Sequence, residues 1–520
     1  MGELLDAPAE AAGGLAVYGA AAVDAAAPAA TRQALVDADV PGWLHAHRHG
    51  RELLPQLAEL TAELADLDHV VLVGPAEPAL AAGTVARTTG RPLTVLDTTD
   101  PGPVRAALAD RLARTVVVLA GRADTPEIDS HRRAYWQAFL DAGMTEAEAS
   151  RHFVVVTEPG SSLEAVAAEL GAIIVPAGPA VAEGYRALTA YTLVPCALAG
   201  VAVADLLDEA EAFSASLGRP GDNPGLALGA ALAAAATTGR DKVALVADGS
   251  GVEGLGDWVA HLLAGTSRDG IGILPVVVES PDTPGVTGAD VLTVSYGGAL
   301  AAGAVPGAGT TADVAVNGPL GAHFLAWQYA AAMAATVRGT EPLDFPDTDF
   351  GGPRTAPPAE PRTPSAVEDA IEVYAPPGAP ADLAGALRQL LDGVDANGYL
   401  AVVAYLDRHA DADAARLRPL LAQATGRPVT FGWGPSHPRA VGQYHIGGPP
   451  AGSFLHVTGT VNVDLPVPGR PYSFGELLAA QAASDRRALA GRDRPLLHLH
   501  LTDRTMGLAH LFDAIGSLRA

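Results

Sequence analysis

One stretch of the sequence, residues 238–279, constrains the fold more than any other part of the chain. Within it, Lys242 to Ala247 predicts a short buried strand, and Ile273 to Val278 predicts a second. A Gly-rich turn is predicted from Asp248 to Gly256, followed by an amphipathic helix from Asp257 to Ala264. This order describes a parallel βαβ unit, in which ligands bind at the carboxyl ends of the strands.

The same alternation of short apolar runs and helical patterns extends over most of the chain. Before the central stretch, five apolar runs are predicted as strands at 69–74, 93–98, 115–120, 152–157 and 172–176. After it, further strands are predicted at 291–296, 312–317, 399–406, 429–433, 453–459 and 496–501. Apolar runs separated by helices indicate parallel sheets covered on both faces. We therefore predict an α/β fold with two tandem three-layer α/β/α domains and a C-terminal helical segment.

The 520 residues are too many for one ordinary core, so more than one domain is expected. The predicted segments are a helical lead-in at 1–50, a first domain at 51–190, a helical connection at 191–236, the first part of a second domain at 237–338, a Pro-rich loop at 339–380, the remainder of the second domain at 381–505 and a C-terminal helix at 506–520.

Charge and composition narrow the classes of partner. The formal net charge of −26 opposes binding to nucleic acid and to anionic membrane surfaces. The N-terminus lacks the basic segment and apolar block of a secretory signal, so a cytoplasmic protein is predicted. The single cysteine, Cys196, forms neither a disulfide framework nor a Cys-based metal site.

Two other patterns bear on cofactor or metal binding. Residues 251–256 (GVEGLG) loosely match a dinucleotide-binding turn, but the acidic residue expected on a following strand is missing. His498 and His500 share one face of a predicted strand, which suits metal coordination, although no third ligand accompanies them. We therefore predict no cofactor and no metal.

Several segments together carry a family resemblance. The most specific lie at 95–104, 153–167, 187–201, 239–264, 272–279, 318–335 and 434–459. The chain resembles the phosphoglucose isomerase family, in particular the branch found fused to transaldolase. The resemblance implies sugar-isomerase (SIS-type) domains, a homodimer, and the isomerisation of glucose 6-phosphate to fructose 6-phosphate.

The resemblance implies two turns that hold the substrate phosphate, because hydroxyls and backbone N–H groups at helix N-termini bind anions. In the turn at 119–129, only Thr125 and Glu127 match the family pattern, and Asp124 adds negative charge. The turn at 74–79 carries Glu77, whose negative charge also opposes the binding of a phosphate. Phosphate binding of the family kind is therefore expected to be lost.

The resemblance also implies groups that move protons and stabilise negative charge. Proton transfer between C1 and C2 requires a carboxylate, and Gly265 stands at that position. The family arginine falls at Gly184, with Arg186 two residues later as its candidate substitute. The family lysine falls near Gly352, close to Arg354.

The last family segment corresponds to 438–448. There the first histidine is replaced by Arg439 and the lysine by Ile446, whereas Gln443 and His445 persist. His445 lies in a predicted Gly-rich loop, where it is either functional or a packed, hydrogen-bonded histidine. The predicted catalytic positions are Gly265, Arg439, His445 and Gly352, and the predicted ligand-binding positions are Thr125, Glu127, Arg186 and Gln443.

Two functions remain open from the sequence. Loss of one catalytic base or oxyanion donor costs about 10²–10⁴ in rate, and five motifs depart from the family pattern. The preferred hypothesis is a non-isomerising binding, regulatory or scaffolding homologue whose partner is a sugar phosphate or a sugar-phosphate enzyme. The alternative is an active glucose-6-phosphate isomerase or related aldose–ketose isomerase that uses Glu253, Arg186, Arg354, Arg439 and His445.

Overall fold

The computed structural model describes residues 10–20, 42–74, 76–178, 181–219, 221–301, 304, 312–343, 363–376, 378–380 and 382–518. Its strands are β1 Glu10–Ala12, β2 Leu15–Tyr18, β3 His69–Val73, β4 Thr94–Leu96, β5 Thr115–Ala120, β6 Phe153–Thr157, β7 Ile173–Pro176, β8 Lys242–Ala247, β9 Leu274–Val278, β10 Val291–Gly297, β11 Val314–Asn317, β12 Ala366–Glu368, β13 Ile371–Tyr374, β14 Tyr399–Tyr405, β15 Val429–Trp433, β16 Gly452–Gly459 and β17 Leu496–Leu501.

The helices are α1 Ala46–Glu52, α2 Leu54–Glu63, α3 Ala76–Thr89, α4 Pro101–Ala109, α5 Pro126–Asp141, α6 Glu146–Arg151, α7 Ser162–Leu170, α8 Ala190–Leu198, α9 Val203–Leu217, α10 Pro224–Thr237, α11 Leu255–Gly265, α12 Leu320–Val337, α13 Leu383–Asp392, α14 Leu417–Thr425, α15 Ser436–Gly447, α16 Phe474–Ala490 and α17 Arg504–Ser517. This content confirms the predicted mixed α/β fold with parallel sheets.

The first sheet has the strand order β4-β3-β5-β6-β7, and all its strands are parallel. Every residue of β3, β5 and β6 is buried. A strand buried on both faces needs a continuous apolar run, which is why these strands are rich in valine. The carboxyl ends of β3, β4 and β5 therefore form one edge, at which polar side chains can meet.

The second sheet has the order β1-β2-β11-β10-β8-β9. Strands β8 to β11 are parallel, and the β1–β2 hairpin adds antiparallel strands at the β11 edge. The prediction of a helical lead-in at 1–50 was thus wrong for residues 10–18. Leu15 and Val17 are buried in strand alternation, because the hairpin completes the β11 edge.

The third sheet has the order β12-β13-β17-β16-β14-β15. Strands β14 to β17 are parallel, and the β12–β13 hairpin pairs antiparallel with β17. The predicted loop at 339–380 therefore contains a hairpin, while its residues 344–362 lie outside the described part. The strands predicted for the second domain divide between two sheets, and the domain boundaries stay a prediction.

Helix α12 packs closely against α9 and α10 because glycines stand at the contacts. A Cβ atom at Gly321 would lie 2.0 Å from the carbonyl oxygen of Leu206. A Cβ atom at Gly229 would lie 2.7 Å from the Cβ of Met333. Side chains at either position would force the helices apart.

We expect Gly321→Ala to lower the free energy of unfolding by about 1–3 kcal/mol, because overpacking moves backbone rather than a flexible side chain. Gly516→Ala is the matched control, since Gly516 is an exposed helical glycine with no atom within 4 Å of an added Cβ. The control should be neutral or stabilising by about 0.5–1 kcal/mol. Equal stability of both variants in urea unfolding would contradict the close packing.

Candidate functional site

Three of the residues singled out in the sequence meet at the carboxyl edge of the first sheet. Thr125, Glu127 and Arg439 line one small cavity there, with a volume of about 10 Å³. The other polar lining residues include Asp97, Thr98 and His131. A cavity of that size holds about one water molecule and excludes a sugar.

Glu127 is positioned by the start of α5. Thr125 caps this helix, its Oγ1 accepting a hydrogen bond of 3.3 Å from the backbone N–H of Ile128. Glu127 lies in the first helical turn, where the helix dipole favours a carboxylate. It is 8% exposed, and its Oε1 accepts hydrogen bonds from Arg439 Nη2 and Gln481 Nε2.

Arg439 reaches this cavity from α15, which follows β15 of the third sheet. Burial lowers the pKa of Arg439 to about 10, while the carboxylates of Asp485 and Asp97 act in the opposite direction. The guanidinium therefore remains charged at neutral pH. Asp97 itself accepts hydrogen bonds from Arg408 at 2.5 Å and from Ser436 Oγ at 2.6 Å. Ion pairs thus join the first sheet to the third at this edge.

A second buried carboxylate occupies the neighbouring turn. Glu77 is 1% exposed, and its two carboxylate oxygens accept the backbone N–H groups of Gly184 at 2.8 Å and Arg186 at 2.6 Å. Burial raises the pKa of Glu77, and the charge of Arg186 partly offsets this effect. The carboxyl group of Glu77 therefore uses backbone donors that an external anion would otherwise need.

Arg186 and Gln443 have structural contacts away from the Glu127 cavity. The Nε of Arg186 donates to the carbonyl oxygen of Val181 at 2.9 Å, and its guanidinium lies 5.4 Å from the ring centre of Tyr191. The Nε2 of Gln443 donates to the carbonyl oxygen of Ser267 at 2.6 Å. Gln443 thereby joins α15 to the turn that follows α11.

His445 lies inside α15, so the prediction of a Gly-rich loop for its segment was wrong. The helix forms because its buried face packs against α11. The Nδ1 of His445 is 2.9 Å from Tyr399 Oη, and the two rings stack with centres 5.6 Å apart. Burial lowers the pKa of His445 well below its ordinary value, so the ring is neutral at physiological pH.

The two glycine positions add no chemical group to the site. Gly265 is the last residue of α11 and is buried. It carries no titratable side chain, so the helix ends without a proton carrier at that residue. Gly352, like Arg354, lies outside the described residues.

Sequence reasoning missed the residues that complete the cluster. Gln481 Nε2 donates to Glu127, and Gln481 Oε1 accepts a 2.5 Å hydrogen bond from Thr99 Oγ1. Asp97 and Thr99 could have been found, because they directly follow the apolar run of β4. Gln481 gave no comparable signal, since it is one polar residue on the buried face of a long helix.

Two further findings concern metals and membranes. Among the residues that the structure describes, no group of three or more histidine, cysteine, aspartate or glutamate side chains is placed to hold a metal ion. Within the same residues, no helix combines the length and the apolar character needed to cross a bilayer.

Comparison with known proteins gives one partial relative. No protein-family model matches the chain. The chain is 30% identical over 227 residues to a probable glucose-6-phosphate isomerase from Haloarcula marismortui. The aligned region covers 42% of this chain, and the chain spans about half the length of that relative (51%). The chain is thus similar in part to a sugar-phosphate isomerase.

Solved structures that resemble this chain do so weakly, both in TM-score and in sequence identity. A hypothetical protein from Thermus thermophilus matches with a TM-score of 0.41 and 15% identity, covering 94% of this chain and 87% of that chain. A glucose-6-phosphate isomerase from Chlamydia trachomatis matches with a TM-score of 0.46 and 15% identity, covering 57% and 71%. At these values the likeness assigns neither activity nor ligand.

Proposed function

We propose that this chain is a sugar-phosphate-isomerase-like protein that no longer isomerises sugar phosphates. The observation that carries the proposal is the ion pair between Glu127 and Arg439, which closes the cavity at the carboxyl ends of the strands. A carboxylate and a guanidinium that neutralise each other there leave neither an open space nor a free positive charge for a phosphate.

The remaining predicted positions support the same proposal. Gly265 cannot transfer a proton, and His445 is held against Tyr399 as a neutral ring. Glu77 occupies two backbone donors in the other turn where phosphate is expected. Isomerisation requires an anion site and a proton carrier together, and both are compromised.

A binding, regulatory or scaffolding role in sugar-phosphate metabolism follows from this proposal. Of the two expected partners, a sugar phosphate or an enzyme that acts on one, the closed Glu127 cavity favours the enzyme, and the working form would be a cytoplasmic homodimer. The partial similarity to a probable glucose-6-phosphate isomerase supports this choice of metabolic context.

One observation favours the second candidate, an active glucose-6-phosphate isomerase. Glu127 is a buried carboxylate at the strand ends, and such groups carry protons in many enzymes. If Arg439 moved aside when substrate bound, Glu127 would be exposed to it.

The two candidates are separated by an assay coupled to glucose-6-phosphate dehydrogenase. With fructose 6-phosphate as substrate, the purified full chain should give the same rate as the blank without enzyme, because the proton carrier and anion site are both altered. An established isomerase in the same assay is the positive control. Turnover above the blank that is abolished by Glu127→Gln or His445→Ala would establish the second candidate instead.

A further inference from the structure

A second cavity, in the third sheet, is much larger than the one beside Glu127. It lies where β14 and β16 end, at Tyr405 and Gly459, and has a volume of about 460 Å³. Small-molecule sites in proteins span about 300–1,000 Å³, and in parallel sheets they lie at the carboxyl ends of strands. Size and position therefore both suit a small ligand.

One wall of this cavity is a hydrogen-bonded network of threonine hydroxyls and imidazole rings. Thr458 Oγ1 lies 2.9 Å from His498 Nε2 and 2.9 Å from His500 Nδ1. Thr460 Oγ1 lies 3.2 Å from His500 Nε2. Burial lowers the pKa of His500, so its ring is uncharged at neutral pH. These groups can both donate and accept hydrogen bonds.

The adjoining wall provides an aromatic surface. The ring of Tyr374 stacks on His498, with centres 4.8 Å apart and planes 18° apart. The hydroxyl of Tyr374 donates to Glu372 Oε2 at 2.7 Å, which holds the ring in place. Leu478 and Ala482 of α16 add apolar area to the lining.

The charge of the lining disfavours an anionic ligand. Glu372, Asp464 and Glu476 line the cavity, whereas Arg486 is the one cationic side chain in that lining. Asp464 accepts the backbone N–H of Gly475 at 2.9 Å, so its carboxylate is fixed in place beside α16. A phosphate placed here would meet more negative than positive charge.

We propose that this cavity binds a neutral polyhydroxylated molecule of about hexose size, such as an unphosphorylated sugar or a polyol. Hydroxyl groups would bond to the histidine and threonine network and to Glu372. The C–H face of the ligand would pack on the ring of Tyr374. This site is separate from the Glu127 cavity and does not rest on the proposed function.

The test is ligand-observed saturation-transfer NMR on the full chain with D-glucose, D-sorbitol and myo-inositol, and with glucose 6-phosphate as the charged comparator. At least one neutral compound should bind saturably in the millimolar range, and the phosphate should bind at least tenfold more weakly. Tyr374→Ala and Thr460→Val should each weaken the neutral ligand at least tenfold. Tyr374→Phe, which keeps the ring, should weaken it less than Tyr374→Ala.

His409→Ala is the control, because it removes an exposed imidazole elsewhere in the same region. It should leave binding unchanged, and far-ultraviolet circular dichroism should show that every variant is folded. Absence of saturable binding for all three neutral compounds would overturn the proposal. Tighter binding of glucose 6-phosphate that Thr460→Val weakens would also overturn it, because the cavity would then be an anion site.

Discussion

Glu127→Ala is expected to lower the free energy of unfolding by about 3–5 kcal/mol, because it leaves the guanidinium of Arg439 in a largely buried place without its partner. The same substitution removes the acceptor of the Gln481 amide. The double variant Glu127→Ala/Arg439→Met should recover most of this loss, since it removes both charges. A double-mutant cycle measured by urea unfolding would give the coupling between the two residues.

The matched control is the ion pair between the exposed Arg122 and the partly buried Glu158, whose side chains approach within 3.0 Å. The Arg122 side chain is 60% exposed, so Arg122→Met should change stability by less than about 1 kcal/mol. If Glu127→Ala proved as stable as wild type, Arg439 would have an alternative environment. The cavity at the strand ends would then open easily, which would weaken the proposed function.

Glu77→Ala should destabilise the protein by about 2–6 kcal/mol, since it leaves two buried backbone N–H groups without an acceptor and each costs about 1–3 kcal/mol. Glu77→Gln keeps one carbonyl oxygen and should lose about half as much. Thermal unfolding of the three proteins at one pH would measure the order. An equal loss for both variants would show that the volume of the side chain matters more than its oxygens.

The pH dependence gives an independent test of Glu77. Its folded-state pKa is raised by burial, so protonation favours the folded protein as pH falls through that raised value. The stability difference between wild type and Glu77→Ala should therefore grow as pH is lowered from 7 toward 4.5. A difference in stability that shrinks over this range would mean that the folded protein stabilises the charged carboxylate of Glu77 better than its neutral form.

Most of the fold could be predicted because buried parallel strands have a strong sequence signature. The strands β5, β8, β15 and β17 begin and end at the predicted residues, since each is a short apolar run between polar turns. Sheet membership could not be predicted in the same way. Which strand pairs with which depends on contacts between residues far apart in sequence. The residues of a run such as 399–406 do not indicate which strands lie beside it in the sheet.

In the candidate site, as in the fold, local features could be predicted from the sequence and contacts between distant residues could not. Thr125 and Glu127 could be singled out from one short turn, because they match the pattern of the family that the chain resembles. The pairing of Glu127 with Arg439, about three hundred residues away, rests on how the first and third sheets face each other. The role of Glu77 was even harder to predict, because a carboxyl group that binds two backbone donors has no local sequence pattern.

The hairpin at the edge of the second sheet affects the order in which the protein folds during synthesis. Ala16 pairs with Asn317, so at about 5–20 residues per second the ribosome needs roughly 15–60 s to supply its partner. The first sheet, complete by Pro176, is available long before that. The residues of the hairpin therefore spend this interval without the strand they pair with, and the second sheet is finished only when β11 emerges.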